Sequence, residues 1–174
     1  MSLTAPASRV PALPSPRALG TTIARKIDTA ITILARFLAR WSVPALRVSL
    51  GLVFLGFGVL KFVPGASPAA SIAARTIETL TFGVVAGTTA VLVTAVLETF
   101  IGLTLVTGKF LRLGLLALAG AMVGIMSPLV LFAGELFGDG VTLMAQYVLK
   151  DAVLVTGAAV VAAVALGARL RHEA

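Results

Sequence analysis

Apolar residues along the chain gather into four long runs, at about 44–63, 88–107, 112–133 and 143–168, each carrying few charges. A helix needs about 20 residues to cross a ~30 Å hydrocarbon layer, and each run has close to that length. The pattern predicts an all-α fold, an integral membrane four-helix bundle formed by residues 42–168. Pro44 suits a first helical turn, and Pro64-Gly65 stops the first run. Gly108-Lys109-Phe110-Leu111 is so short a connection that the second and third helices must be antiparallel neighbours. Pro128 predicts a kink late in the third helix, before a loop at 134–142.

Two further stretches are amphipathic rather than apolar throughout. Over 23–41, Ile23, Ile27, Ile31, Leu34, Leu38 and Trp41 recur at spacings of three and four, with Arg25, Lys26, Arg36 and Arg40 between them. That spacing predicts a basic helix lying in the membrane interface, with Trp41 at headgroup depth. Between the first two spans, Ile72, Ala73, Thr76, Ile77 and Leu80 form a shorter stripe opposite Arg75 and Glu78, ending at Gly83. It predicts a second, surface-lying helix, too short and too charged to span. Residues 1–22 carry Pro6, Pro11, Pro14 and Pro16 among small and polar residues and are expected to be a disordered arm. The Arg-bearing, acid-poor start has some likeness to a targeting segment, but the apolar run that follows is too long for a signal core. Residues 169–174 form a charged tail.

Composition sharpens this picture. The chain is 59% hydrophobic and 12% charged, with a mean hydropathy of +1.07. A soluble domain carries about 25% charged residues. Cysteine is absent, which excludes disulfides, thiol relays and cysteine metal sites. The single histidine, His172, lies in the charged tail, so no bis-histidine haem or histidine-bound metal is expected within the spans and no intrinsic cofactor is implied. The net charge of +7 reads as topology and attraction to anionic lipid, with no nucleic-acid partner. Arg25, Lys26, Arg36, Arg40, Lys109, Arg112, Arg169 and Arg171 flank one side of the spans, against Arg75 and the edge residue Lys61 on the other. That bias predicts both termini in the cytoplasm and the 65–87 and 134–142 loops outside.

Apart from Arg112 at the first position of its run, five ionisable residues fall within the runs: Arg47, Lys61, Glu98, Lys150 and Asp151. A charge at the bilayer centre costs on the order of 2.5–3.5 kcal/mol, so each needs a partner or a role. On the first helix Arg47, Gly51, Phe54, Gly58 and Lys61 share one face, polar at its ends and nearly bare between. Its glycines would admit either a neighbouring helix or a ligand. Thr94 and Gly102 flank Glu98 one turn to either side, and with Gly51, Phe54 and Gly58 they are the candidate pocket lining. On the third helix Gly114, Ala117, Ala121, Gly124 and Pro128 form a small-residue packing seam, with Met122 and Met126 as core filler. Gln146, Tyr147, Lys150 and Asp151 cluster on the fourth. Lys150 and Asp151 are adjacent and point about 100° apart, so they are not expected to pair with each other. The economical arrangement has two polar levels, Arg47 with Glu98 and Lys61 with Asp151 beside Tyr147. Lys150 is then left to the outer surface or a ligand.

The run Leu46-Arg47-Val-Ser-Leu-Gly51-Leu-Val-Phe54-Leu-Gly-Phe-Gly58-Val-Leu-Lys61-Phe resembles the first-helix signature of DoxX-like membrane proteins, especially their YkgB-type branch. Ala74-Arg75-Thr-Ile-Glu78-Thr-Leu-Thr-Phe82, Glu98-Thr-Phe-Ile-Gly102-Leu-Thr-Leu-Val-Thr-Gly108-Lys109 and Gln146-Tyr147-Val-Leu-Lys150-Asp151 extend the likeness over roughly 43–157. Relatives often carry Asn where Asp151 stands. The resemblance implies a four-helix protein of the bacterial inner membrane. Some members are associated with quinone-linked oxidation or oxidant resistance, and many have no assigned activity.

Three functions from different classes follow. The first is a non-enzymatic membrane subunit or binder of a small amphiphile such as a quinone or lipid, held near Arg47, Glu98, Lys61 and Lys150. The second is a small-molecule or proton-coupled transporter with Glu98 as its protonatable site, acting as a homo-oligomer because four helices are few for alternating access. The third is the membrane component of a quinone-linked oxidoreductase, which would pass electrons to a redox partner protein or a bound quinone. The first is the leading expectation.

Overall fold

A computed structural model describes residues 16–138 and 140–168. The described residues are helical, with turns between and no strand. The elements are α1 (Pro16–Leu60), α2 (Ala70–Leu80), α3 (Gly87–Thr107), α4 (Leu111–Met126), α5 (Pro128–Leu131), α6 (Ala133–Phe137) and α7 (Leu143–Ala165). Four stretches are long and apolar enough to cross a membrane: Ala24–Leu60, Gly87–Thr107, Leu111–Leu131 and Leu143–Ala165.

The amino-terminal expectations need correction. The basic stretch at 23–41 and the first apolar run are one uninterrupted helix, α1, with Pro44 inside it rather than at its start. Of the arm expected to be disordered, residues 16–22 belong to α1, and residues 1–15 lie outside the described residues. The tail at 169–174, with His172, also lies outside them. The chain divides into two compact units, 1–40 and 41–174. In the first, Ile27, Ile31, Ile33, Leu34 and Phe37 are all more than half exposed.

In the second unit α1, α3, α4 and α7 surround a core of Leu50, Phe54, Ile101, Leu105, Leu118 and Val161. Close backbone approach sets the fit of α1 on α3. A β-carbon at Gly51 would lie 2.8 Å from the Val106 backbone nitrogen, and one at Gly102 would lie 2.5 Å from that of Leu55. One at Gly58 would lie 2.7 Å from that of Thr99. Rising numbers on α1 thus meet falling numbers on α3, an antiparallel pair whose register the three glycines hold. At the other faces Gly114 of α4 sits against Thr104 of α3, and Gly157 of α7 against Leu46 and Leu50 of α1.

Each helix end has a local cause. α3 stops where Gly108 takes the left-handed conformation (φ 73°) that glycine adopts without steric cost, its N–H bonded to the Thr104 carbonyl. α4 breaks at Pro128, which has no N–H to give the Gly124 carbonyl. The Ser127 hydroxyl donates to that carbonyl instead, at 2.7 Å. The interruption is confined to Ser127, which keeps right-handed helical dihedrals (φ −59°, ψ −29°) where a kink is expected, and the expected loop beyond begins with the short helix α6. The Thr142 hydroxyl accepts from Ala145 N at 3.1 Å and caps α7.

Candidate functional site

α1 ends early relative to its neighbour. Gly58, two residues before the last of α1, lies against Thr99, near the middle of the 21-residue α3. After Leu60 the chain tightens into successive turns, Lys61 N to Gly58 O and Phe62 N to Val59 O, before Gly65 reverses it at a φ of 78°. The bundle is left open beside the first half of α3. α2 packs on α3, α4 and α5 and covers that opening. Beneath it lies a cavity of about 320 Å³. Phe54, Ile72, Ile77, Leu97, Ile125 and Leu154 form apolar wall, while Lys61, Glu98, Tyr147, Lys150 and Asp151 supply polar groups.

Lys61 Nζ donates to Glu98 Oε2 at 2.6 Å, with the two side chains 2% and 12% exposed. This corrects the expected pairing of Arg47 with Glu98 and of Lys61 with Asp151. Arg47 lies at the far end of the bundle, its guanidinium against Gly108, ten residues from Glu98 along α3, or about 15 Å at 1.5 Å per residue. Its Nε has no hydrogen-bond partner. Lys61 is level with Glu98 because Gly58, three residues before it, packs against Thr99, the neighbour of Glu98 on the antiparallel α3.

The charges of α7 also differ from expectation. Lys150 Nζ lies 3.8 Å from Asp151 Oδ1, so the neighbours do meet. The ammonium also stands 5.1 Å from the centre of the Phe57 ring and 4.8 Å from that of Tyr147, near enough for cation–π attraction. Phe57, which the sequence reading did not single out, is 5.7 Å from Lys61 Nζ as well. By its pattern alone Thr76 belongs to the amphipathic stripe of α2. It is 3% exposed, lines the cavity, and its hydroxyl has no hydrogen-bond partner.

Of the expected pocket lining, Phe54 and Thr94 do border the cavity, and the Thr94 hydroxyl is spent on the Ala90 and Val91 carbonyls. Gly51, Gly58 and Gly102 form the α1–α3 contact instead. The small-residue seam of α4 divides: Gly114 packs on Thr104, whereas Ala121, Gly124 and Pro128 border the cavity. A β-carbon at Gly124 would meet nothing within 4 Å. Met122 is core, as expected of it. The α2 stripe lines the cavity through Ile72, Ala73, Thr76, Ile77 and Leu80.

Outside the cavity, Arg75 of α2 holds Glu135 of α6 through Nη1 at 2.8 Å and Nη2 at 2.7 Å, its guanidinium 4.5 Å from the Phe132 ring centre. The Arg75 hydrogen bonds hold the Glu135 carboxyl below the usual carboxylate range, and the same bonds raise Arg75. An apolar chamber with a few converging polar groups can hold a small amphiphile by its head while its chain displaces water from the walls. No protein family, curated protein or solved structure was found to match this chain.

Proposed function

We propose that this chain is a multi-pass membrane protein of the DoxX-like kind that binds a small amphiphile, of which a quinone or a lipid is the candidate class. The observation that carries the reading is the cavity of about 320 Å³ with the Lys61–Glu98 pair among its polar groups. Its size lies at the low end of ordinary ligand pockets, about 300–1,000 Å³. The head would sit by Lys61, Glu98, Tyr147 and Asp151, and the chain among Phe54, Leu97 and Leu154. The outward faces support a bilayer setting: Leu116 and Val153 are each 71% exposed, on helices long enough to span. Contiguous apolar surface of that kind marks a membrane or partner contact. In this reading the protein sits in the bacterial inner membrane with both termini cytoplasmic, and the basic stripe of 23–41 meets anionic headgroups.

Filling the cavity tests the binding. Gly124→Phe projects a ring into open space, so it is expected to leave thermal unfolding close to wild type and to remove the bound molecule. Organic extracts of the two purified proteins, compared by mass spectrometry, should show an amphiphile in near-stoichiometric amount with the wild type alone. Equal amounts in both would end the proposal.

A further inference from the structure

Resting on that reading, we infer that the cavity selects an amphiphile with an uncharged head that both donates and accepts hydrogen bonds, and rejects anionic and cationic heads carrying the same chain. The charged groups lining the cavity balance: Lys61 and Lys150 against Glu98 and Asp151. Each cation already has its counter-charge, Lys61 at 2.6 Å from Glu98 and Lys150 at 3.8 Å from Asp151. Lys150 is further held over the rings of Phe57 and Tyr147. The pair beside the cavity, Arg75 with Glu135, is balanced too. A phosphate or carboxylate head would add a negative charge to a balanced lining: it would have to break the buried Lys61–Glu98 pair, or draw the half-exposed Lys150 away from Asp151 and its two rings, and either has a cost. An ammonium head meets the same obstacle with the sign reversed.

A hydroxyl-bearing head meets no such penalty. Thr76 borders the cavity, and its hydroxyl is buried without a partner, so a rotation of the side chain would let it donate to a ligand oxygen or accept from a ligand hydroxyl. The Glu98 carboxylate gives one oxygen to Lys61 and retains acceptor capacity for a ligand O–H. The Tyr147 phenol can serve in either sense. The basic residues Arg47, Lys109 and Arg112 are not among those lining the cavity, so the net positive charge of the chain does not set the preference there.

Three probes with one oleoyl-type chain separate the heads: 1-oleoylglycerol, oleoyl lysophosphatidic acid and oleylamine. Each is titrated at neutral pH into the full-length protein in phosphatidylcholine nanodiscs. The wild type should bind 1-oleoylglycerol more tightly than either charged probe by about tenfold or more. Asp151→Asn and Glu98→Gln each remove one negative charge. Either should shift the preference toward lysophosphatidic acid by about tenfold. Asp151 is partly exposed, so its variant keeps the test alive if Glu98→Gln unfolds. Thr76→Val should weaken 1-oleoylglycerol while leaving oleylamine, which carries no hydroxyl, unchanged. Lysophosphatidic acid or oleylamine binding the wild type as tightly as 1-oleoylglycerol, or no shift in the folded variants, overturns the inference alone. If none of the probes binds, or if Gly124→Phe leaves 1-oleoylglycerol affinity intact, the binding reading falls and takes this inference with it.

Discussion

Lys61 and Glu98 show how much a single contact can decide. Each charge alone would be expensive away from water, and their 2.6 Å contact makes the energy of one conditional on the other. Lys61→Met leaves a buried acid without its partner and is expected to cost about 3–5 kcal/mol, as is Glu98→Gln from the other side. The double variant should regain much of that loss, because it removes both desolvation penalties together. Chemical unfolding of the four proteins in detergent measures the coupling, and additive losses would show that the pair is not energetically linked. All five charges within the apolar runs were recognisable as costly from the sequence. Their pairing was not, because depth counted from the ends of each run assumed that both helices reach the same level. Arg47 lies by Gly108 instead, and Lys61, expected at an outer edge, is among the least exposed charges described.

α2 is the element whose part changes most between sequence and structure. Its amphipathic period was legible, since Ile72, Thr76, Ile77 and Leu80 recur on one side. What that side faces was not, because a stripe covering a cavity and one lying on a bilayer have the same period. The Arg75–Glu135 pair ties α2 to α6 by two hydrogen bonds. Arg75 holds the Glu135 carboxyl below its usual range, so the pair supports the fold at pH above that range and loses its effect as pH falls through the lowered value. Both groups are exposed, and the effect is accordingly small. The melting-temperature difference between wild type and Glu135→Gln should be constant near neutrality and vanish on acidification. A difference that persists in acid would assign the effect of the substitution to something other than the charge pair. The fit of α1 on α3 belongs to the same scale. The pattern offers Gly51 and Gly58 to a helix or a ligand and Gly102 as a gap beside Glu98, and helix backbone takes all three.

Over the whole molecule, the proposed topology puts the cavity, α2 and α6 toward the outer face and the α3–α4 turn toward the cytoplasm. Native cysteine is absent, so single cysteines report cleanly on it. Ala66 and Gly134 are exposed, and a β-carbon at Gly134 meets nothing within 4 Å, whereas Ser67 in the same loop is buried. Ala66→Cys and Gly134→Cys should react with an impermeant thiol reagent on intact cells, and Lys109→Cys should react only after lysis. The opposite pattern would invert the topology. The all-helical fold and the approximate reach of α3, α4 and α7 were determined by the sequence alone, since apolar run length, Gly108, Pro128 and Thr142 act locally. α1 departed from it, because a proline early in an apolar run reads as a beginning and here stands inside a longer helix. Tertiary structure alone decided the pairing of Lys61 with Glu98, the cavity and the covering by α2. An apolar helix can slide by a turn against its neighbour with little change in its own pattern. The close glycine contacts between α1 and α3, with the core side chains beside them, fix the register that brings residues 37 positions apart to 2.6 Å.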